Sequence, residues 1–103
     1  MSKKIKVLVK EPGQAPQIKV IENELEEFQK IVGGYIEVVG YDPEVPDVLI
    51  ICNEEGKIKE LDLNFFTLYD CIVGTAVFVA SGEYANFESL AGYQIARIGE
   101  LLW

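Results

Sequence analysis

The side chains of this 103-residue chain with the types and spacing to do chemistry crowd into one stretch, residues 52–64. Cys52 and Asn53 are followed by Glu54, Glu55, Gly56, Lys57 and Lys59, and Asn64 closes the stretch. Carboxamides together with two ammonium groups can hold a small anionic or nucleotide-like molecule, and tyrosines such as Tyr35, Tyr41 or Tyr69 can stack on its ring. On that reading the candidate ligand-binding residues are Asn53, Lys57, Lys59, Asn64 and Tyr35. A plainer reading accounts for the same residues. Asn53–Gly56 has the length and the glycine of a hairpin loop, and Lys57 and Lys59 on one strand face would discourage sheet-to-sheet pairing. Spacing alone does not bring the five candidates together.

Other chemistry is constrained by what the chain lacks. It contains no histidine, which removes the usual general base, the usual imidazole metal ligand and any Ser–His or Cys–His nucleophile. Two cysteines, Cys52 and Cys71, cannot build a four-ligand zinc site by themselves, and in apolar surroundings they read as buried reduced thiols. Glu54 and Glu55 are adjacent, so their side chains diverge and cannot flank one reacting bond. Asp42, Glu44 and Asp47 could offer carboxylates to a hard cation, but their spacing fits no calcium loop. The glycines of VGGY follow a helix instead of preceding one, so they do not form a phosphate-binding helix start. The expectation is a non-enzymatic protein with no catalytic residues, resident metal or cofactor.

The elements that must position these residues follow from periodicity. IKVLVK (5–10) and QIKVIE (17–22) alternate with period two and flank EPGQAP, a hairpin with a six-residue loop. NELEEFQKIVGG has the form of an Asn23 cap with Glu26 three residues on. Acids fill its first turn, Leu25, Phe28, Ile31 and Val32 form an apolar stripe, and Gly33 suits a left-handed C-cap. YIEVVGY (35–41) reads as a strand and YDPEVPD as a loop, while DVLIICN (47–53) has the continuous apolar character of a strand covered on both faces. KIKELDL (57–63) reads as a further strand, and NFFTLYD as a short helix or an irregular connection. CIVGTAVFVAS reads as a strand bent at Gly74. A last helix begins after Ser89 and carries Ile95, Ile98, Leu101 and Leu102, with Trp103 ending against the core or a partner. The sum is one α+β domain over residues 1–103: a mainly antiparallel sheet of five to six strands, with two helices expected on one of its faces.

Half of the residues are hydrophobic, as in a globular domain, and no apolar run is long enough to span a membrane. The apolar part of the N-terminal MSKKIKVLVK is too short for a signal peptide, so the chain is expected in the cytoplasm. Its net charge of −8 is uneven: residues 1–19 carry +4, residues 20–62 carry −9 and residues 63–103 carry −3. Such acidity repels phosphate backbones, which argues against direct duplex binding, and it admits a basic protein as partner. Solubility alone would also explain it.

The segments LEEFQKIVGGYIEVVGY, VLIICNEEGKIKELDLN and IVGTAVFVAS together resemble a family of small domains of unknown function. The family occurs in phages, plasmids and other mobile elements, chiefly of Gram-positive bacteria, and the resemblance spans residues 5 to about 98. Family members often carry an Arg after the Asn that closes the second segment; here Phe65 follows Asn64. The resemblance implies a small accessory protein, with counter-defence as its expected role. One mechanism is sequestration of a nucleotide-derived signal by a homo-oligomer with sites at subunit boundaries. The other is a nucleic-acid mimic whose acidic face occupies a basic surface on a host protein.

Overall fold

The computed structural model describes residues 3–83 and 86–102. Eight strands and two helices follow in the order β1 (Lys4–Lys10), β2 (Gln17–Glu22), α1 (Leu25–Val32), β3 (Ile36–Asp42), β4 (Val45–Asn53), β5 (Leu63–Phe66), β6 (Cys71–Val73), β7 (Ala76–Ser81), β8 (Phe87–Glu88) and α2 (Gly92–Leu102). Five strands form one antiparallel path in the order β2-β1-β7-β4-β3, with β8 paired to the end of β7. A separate two-stranded ribbon joins β5 to β6. The fold is α+β, as the sequence pattern implies.

β4 and β7 are apolar on both sides, and that decides the layering. Their odd-numbered residues Ile51, Val77 and Val79 meet Ile5, Val7 and Val9 of β1 beneath Phe28 and Val32 of α1. Their even-numbered residues Val48, Ile50, Cys52, Ala76, Phe78 and Ala80 point the other way, where Ile98 of α2 and Phe65 and Ile72 of the ribbon cover them. The expectation that both helices share one face is therefore corrected. Two apolar faces need two covers, and side chains of period two cannot all be shielded from one side.

Local differences have physical causes. α1 starts at Leu25, and Glu24 occupies its N-cap in an extended conformation with no side-chain cap bond. Asn23 does not cap; its carboxamide donates to the Phe87 carbonyl at 3.0 Å, tying the helix entry to β8. Gly33 ends the helix at φ 80, in the left-handed region where a side chain is strained. β4 begins at Val45 despite Pro46, because β3 and β4 close through a tight turn in which Asp42 Oδ1 accepts the Glu44 N–H at 2.8 Å. α2 starts at Gly92, where the Gln94 carboxamide oxygen accepts the Ala91 N–H at 2.7 Å. Trp103 lies outside the described residues.

Residues 57–62 do not form the strand that their alternation suggests. Residues 54–60 instead wind into consecutive turns, and the strand begins only at Leu63. Asn53 starts the winding: its Oδ1 accepts the Glu55 N–H at 2.8 Å and its backbone carbonyl accepts the Gly56 N–H at 3.1 Å. The coil continues through Lys59 N–H to the Glu55 carbonyl and Leu61 N–H to the Gly56 carbonyl, each at 2.9 Å. A Cβ at Gly56 would lie 2.8 Å from Val73 Cγ2, so only glycine lets the coil pack against β6. CNEEGK is thus not a hairpin loop. It lifts the chain out of the sheet and delivers the β5–β6 ribbon onto one face.

Candidate functional site

Lifting the ribbon off the sheet leaves a groove of about 210 Å³ between the β3–β4 hairpin and β6. Glu37, Val39 and Cys52 line it from the sheet, Lys57 and Ile58 from the coil, and Tyr69, Asp70 and Cys71 from the ribbon. The ribbon's turn lies over β3 at ordinary contact distance, since a Cβ at Gly40 would meet the Tyr69 ring at 3.9 Å. A second depression, on the α1 face, is lined by Asn23, Leu25, Phe28, Ile36, Asn86 and Phe87 and bears no charged side chain.

The five sequence candidates separate. Lys57 stands on the groove, but its ammonium is taken by Asp70 in a close ion pair. That hydrogen bond raises the Lys57 pKa and is the main reason the Asp70 carboxyl is held below the ordinary carboxylate range. Asn53 reaches the groove's edge, yet its side chain is committed elsewhere. Nδ2 donates to the Val32 carbonyl at 3.2 Å, closing the C-terminus of α1, and Oδ1 serves the coil. A Cβ at Gly34 would sit 2.9 Å from that nitrogen, so the GG pair makes room for the clamp.

The other three do not line the groove. Lys59 shares no strand face with Lys57; it pairs with Glu55 one helical turn back at 3.7 Å. Asn64 belongs to β5 of the ribbon, and its Nδ2 donates to the carbonyls of Lys10 and Gly74 at 2.7 and 2.8 Å. Tyr35 points into solvent, and its carbonyl accepts the Glu54 N–H at 2.8 Å. Tyr41 is no stacking platform. It is buried between Phe65 and Phe78, and burial pushes its hydroxyl up to about 12. Asp42 and Glu44, weighed as metal ligands, are engaged in the β3–β4 turn and with Arg97 at 2.5 Å.

Sequence reasoning missed Glu37 as a groove residue, and it placed Tyr69 only among the tyrosines at large. Glu37 carried a signal. It alternates with Ile36 and Val38 on β3, so it must share a face with Cys52, its cross-strand neighbour. Asp70 and Cys71 carried none, because their position depends on how the ribbon folds back.

The groove's two thiols differ. Burial first and the Glu37 carboxylate second push Cys52 up to about 11, against a partial pull downward from Lys57. Its Sγ also lies 3.8 Å from the Glu37 carbonyl. Cys71 is half-buried and opens to the groove. Since the thiolate is the nucleophile, and burial both shields the Cys52 sulfur and disfavours its thiolate, iodoacetamide should label Cys71 well before Cys52. Peptide mass spectrometry of a timed reaction reads this directly; equal labelling would show that Cys52 is not shielded.

Among the described residues, no three acids or cysteines gather as a metal site, and no helix is long and apolar enough to cross a membrane. What the groove offers is shape, apolar wall and negative charge. No curated protein and no solved structure matches the chain. Residues 5–102 match the model of a domain of unknown function, DUF3846, and the chain belongs to that family.

Proposed function

We propose that this protein is a non-enzymatic binding module that docks a basic protein through the face built by the 54–60 coil and the β5–β6 ribbon. One observation carries the reading. Ile58, Phe66, Leu68 and Tyr69 are 82%, 72%, 74% and 65% exposed, and all four belong to the coil, the ribbon or its turn. Large apolar side chains left in water together on one surface mark a protein-interaction site. Around them stand Glu54, Glu55, Glu60, Asp62 and Asp70 against Lys57 and Lys59, an excess of acid that would steer a basic partner. The resemblance to mobile-element domains supplies the partner's class: a basic host protein, such as a nuclease or repressor, whose nucleic-acid surface the acidic face occupies in the host cytoplasm.

Capture on the immobilised protein tests this, with an Ile58→Ser/Phe66→Ser variant beside it. Both side chains are exposed, so the variant should fold. The expected result is a basic protein held at about 0.1 M salt, released as salt rises and screening shortens the reach of the charges, and absent from the variant. Identical retention by both forms would sink the reading.

The second reading is sequestration of a nucleotide-derived signal, favoured by Tyr69 on the groove wall and Lys57 at its mouth. Three lining carboxylates, Glu37, Glu54 and Asp70, oppose a phosphate there, and Lys57 is already paired. Native mass spectrometry with cyclic and ADP-ribose-type nucleotides separates the two, because a stoichiometric nucleotide released unchanged on denaturation would favour sequestration.

A further inference from the structure

We infer that the groove is a pocket for a single arginine or lysine side chain of the docked partner, with Glu37 as its anchor. This deepens the basic-partner reading and rests on it for the source of the side chain. Its volume of about 210 Å³ is below the roughly 300–1,000 Å³ of pockets that enclose drug-sized ligands, so it holds a side chain and not a whole cofactor.

The lining has the two-part chemistry that a long cationic side chain needs. Val39, Ile58 and the Tyr69 ring offer apolar surface to a methylene stem, and a cation over the tyrosine face gains a further attraction. The charges are unbalanced, three carboxylates against one ammonium. Lys57 is diverted to Asp70, and the Glu37 carboxylate has no ion pair or hydrogen bond among the described residues. Glu37 is exposed and lines the groove, and its carboxylate acts on the Cys52 thiol and on the Lys57 ammonium, which stand on the same groove. A guanidinium or ammonium entering beside Glu37 would meet the charge that the fold leaves uncompensated, and a carboxylate or phosphate would be repelled.

The probe is Nα-acetyl-arginine methylamide, titrated into the ¹⁵N-labelled protein, with Nα-acetyl-glutamate methylamide as control. The arginine compound is expected to shift the amides of Gly40, Cys52, Lys57 and Cys71, and the glutamate compound none of them. Glu37→Gln keeps the shape and removes the charge. It should weaken the arginine compound at least tenfold, while Glu26→Gln, on the exposed face of α1, leaves it unchanged. The same pair is then compared in binding to any basic protein captured as above. Groove shifts abolished by Glu37→Gln support the pocket even if no basic protein is captured, in which case the partner reading fails alone. A captured protein that binds Glu37→Gln and wild type equally, or arginine shifts scattered away from the groove, would overturn the pocket and leave the docking face intact.

Discussion

Replacing Phe78 by alanine is expected to lower the free energy of unfolding by about 3–5 kcal/mol, the usual cost of emptying a fully buried aromatic site. Phe78 has no exposed surface and sits on β7, the middle strand of the five-strand path. Its ring stacks on Phe65 with centroids 5.4 Å apart and meets Tyr41 edge-on at 5.0 Å. Phe65 belongs to the ribbon and Tyr41 to β3, so one ring joins the sheet to both elements that flank the groove. The cavity left by alanine would border three elements, and the ribbon, also tied by Ile72 and by the Asn64 bonds to Lys10 and Gly74, is poorly placed to collapse into it. Urea unfolding followed by circular dichroism measures the loss, which should appear as a lower midpoint with an unchanged slope. For a domain of this size each kcal/mol corresponds to a fall in Tm of roughly 4–8 °C. At temperatures where the variant is still folded, binding at the groove should already be weaker, because the ribbon loses its seat before the sheet melts. A loss below about 1 kcal/mol would mean that the ribbon repacks freely and that the groove is not a fixed feature.

Phe78 also shows what the sequence revealed and what it could not. The apolar run VLIICN states that one strand is covered on both faces, and the observed β4 obeys it, while CIVGTAVFVAS, read as one strand bent at Gly74, is two, β6 in the ribbon and β7 in the main sheet. α1 was legible as well, from its stripe of Leu25, Phe28, Ile31 and Val32 and from Gly33 after it, although Leu25, at the first turn, is left exposed. Which cover went to which face was not legible, because period-two alternation is the same whichever side α2 approaches. The ribbon was the hardest part. Residues 57–63 alternate like a strand, yet Asn53 commits its side chain to the end of α1 and its carbonyl to the coil, and those bonds override the weak strand preference of KIKEL. Local pattern cannot report a side chain whose partner lies 21 residues away.

The site suffered from the same limit. Lys57 was found because lysine beside glycine and asparagine is conspicuous, while Glu37 sat in a strand where an acid reads as a solvent-facing residue. Only the ribbon folding over β3 and β4 turns that residue into a groove wall. Asn53 and Asn64 were singled out for their carboxamides, and both carboxamides are used. They hold the fold that makes the groove.

Asn64 gives the sharper test of that distinction. Lys10 is 7% exposed, and its ammonium donates to Asn64 Oδ1 at 2.9 Å and to the Glu11 carbonyl at 3.4 Å. Asn64 in return donates to the Lys10 carbonyl and to the carbonyl of Gly74, which stands at φ 73 where the chain turns from β6 to β7. Asn64→Ala removes the side-chain acceptor of a buried ammonium and strips two carbonyls of a donor, at about 1–3 kcal/mol for each group left unsatisfied. A total loss of about 3 kcal/mol is expected by urea unfolding, since the alanine cavity admits some water. Lys10→Met should relieve part of it, because removing the charge removes the need for its acceptor. The double variant should therefore be more stable than the two single losses predict, by about 1 kcal/mol or more. Asn64→Asp should not rescue the site, although it offers Lys10 an opposite charge, because a carboxylate cannot donate to either carbonyl. If Asn64→Ala left stability unchanged and instead altered binding at the groove, the carboxamide would be a ligand contact after all, and the assignment of Asn64 to the scaffold would be wrong.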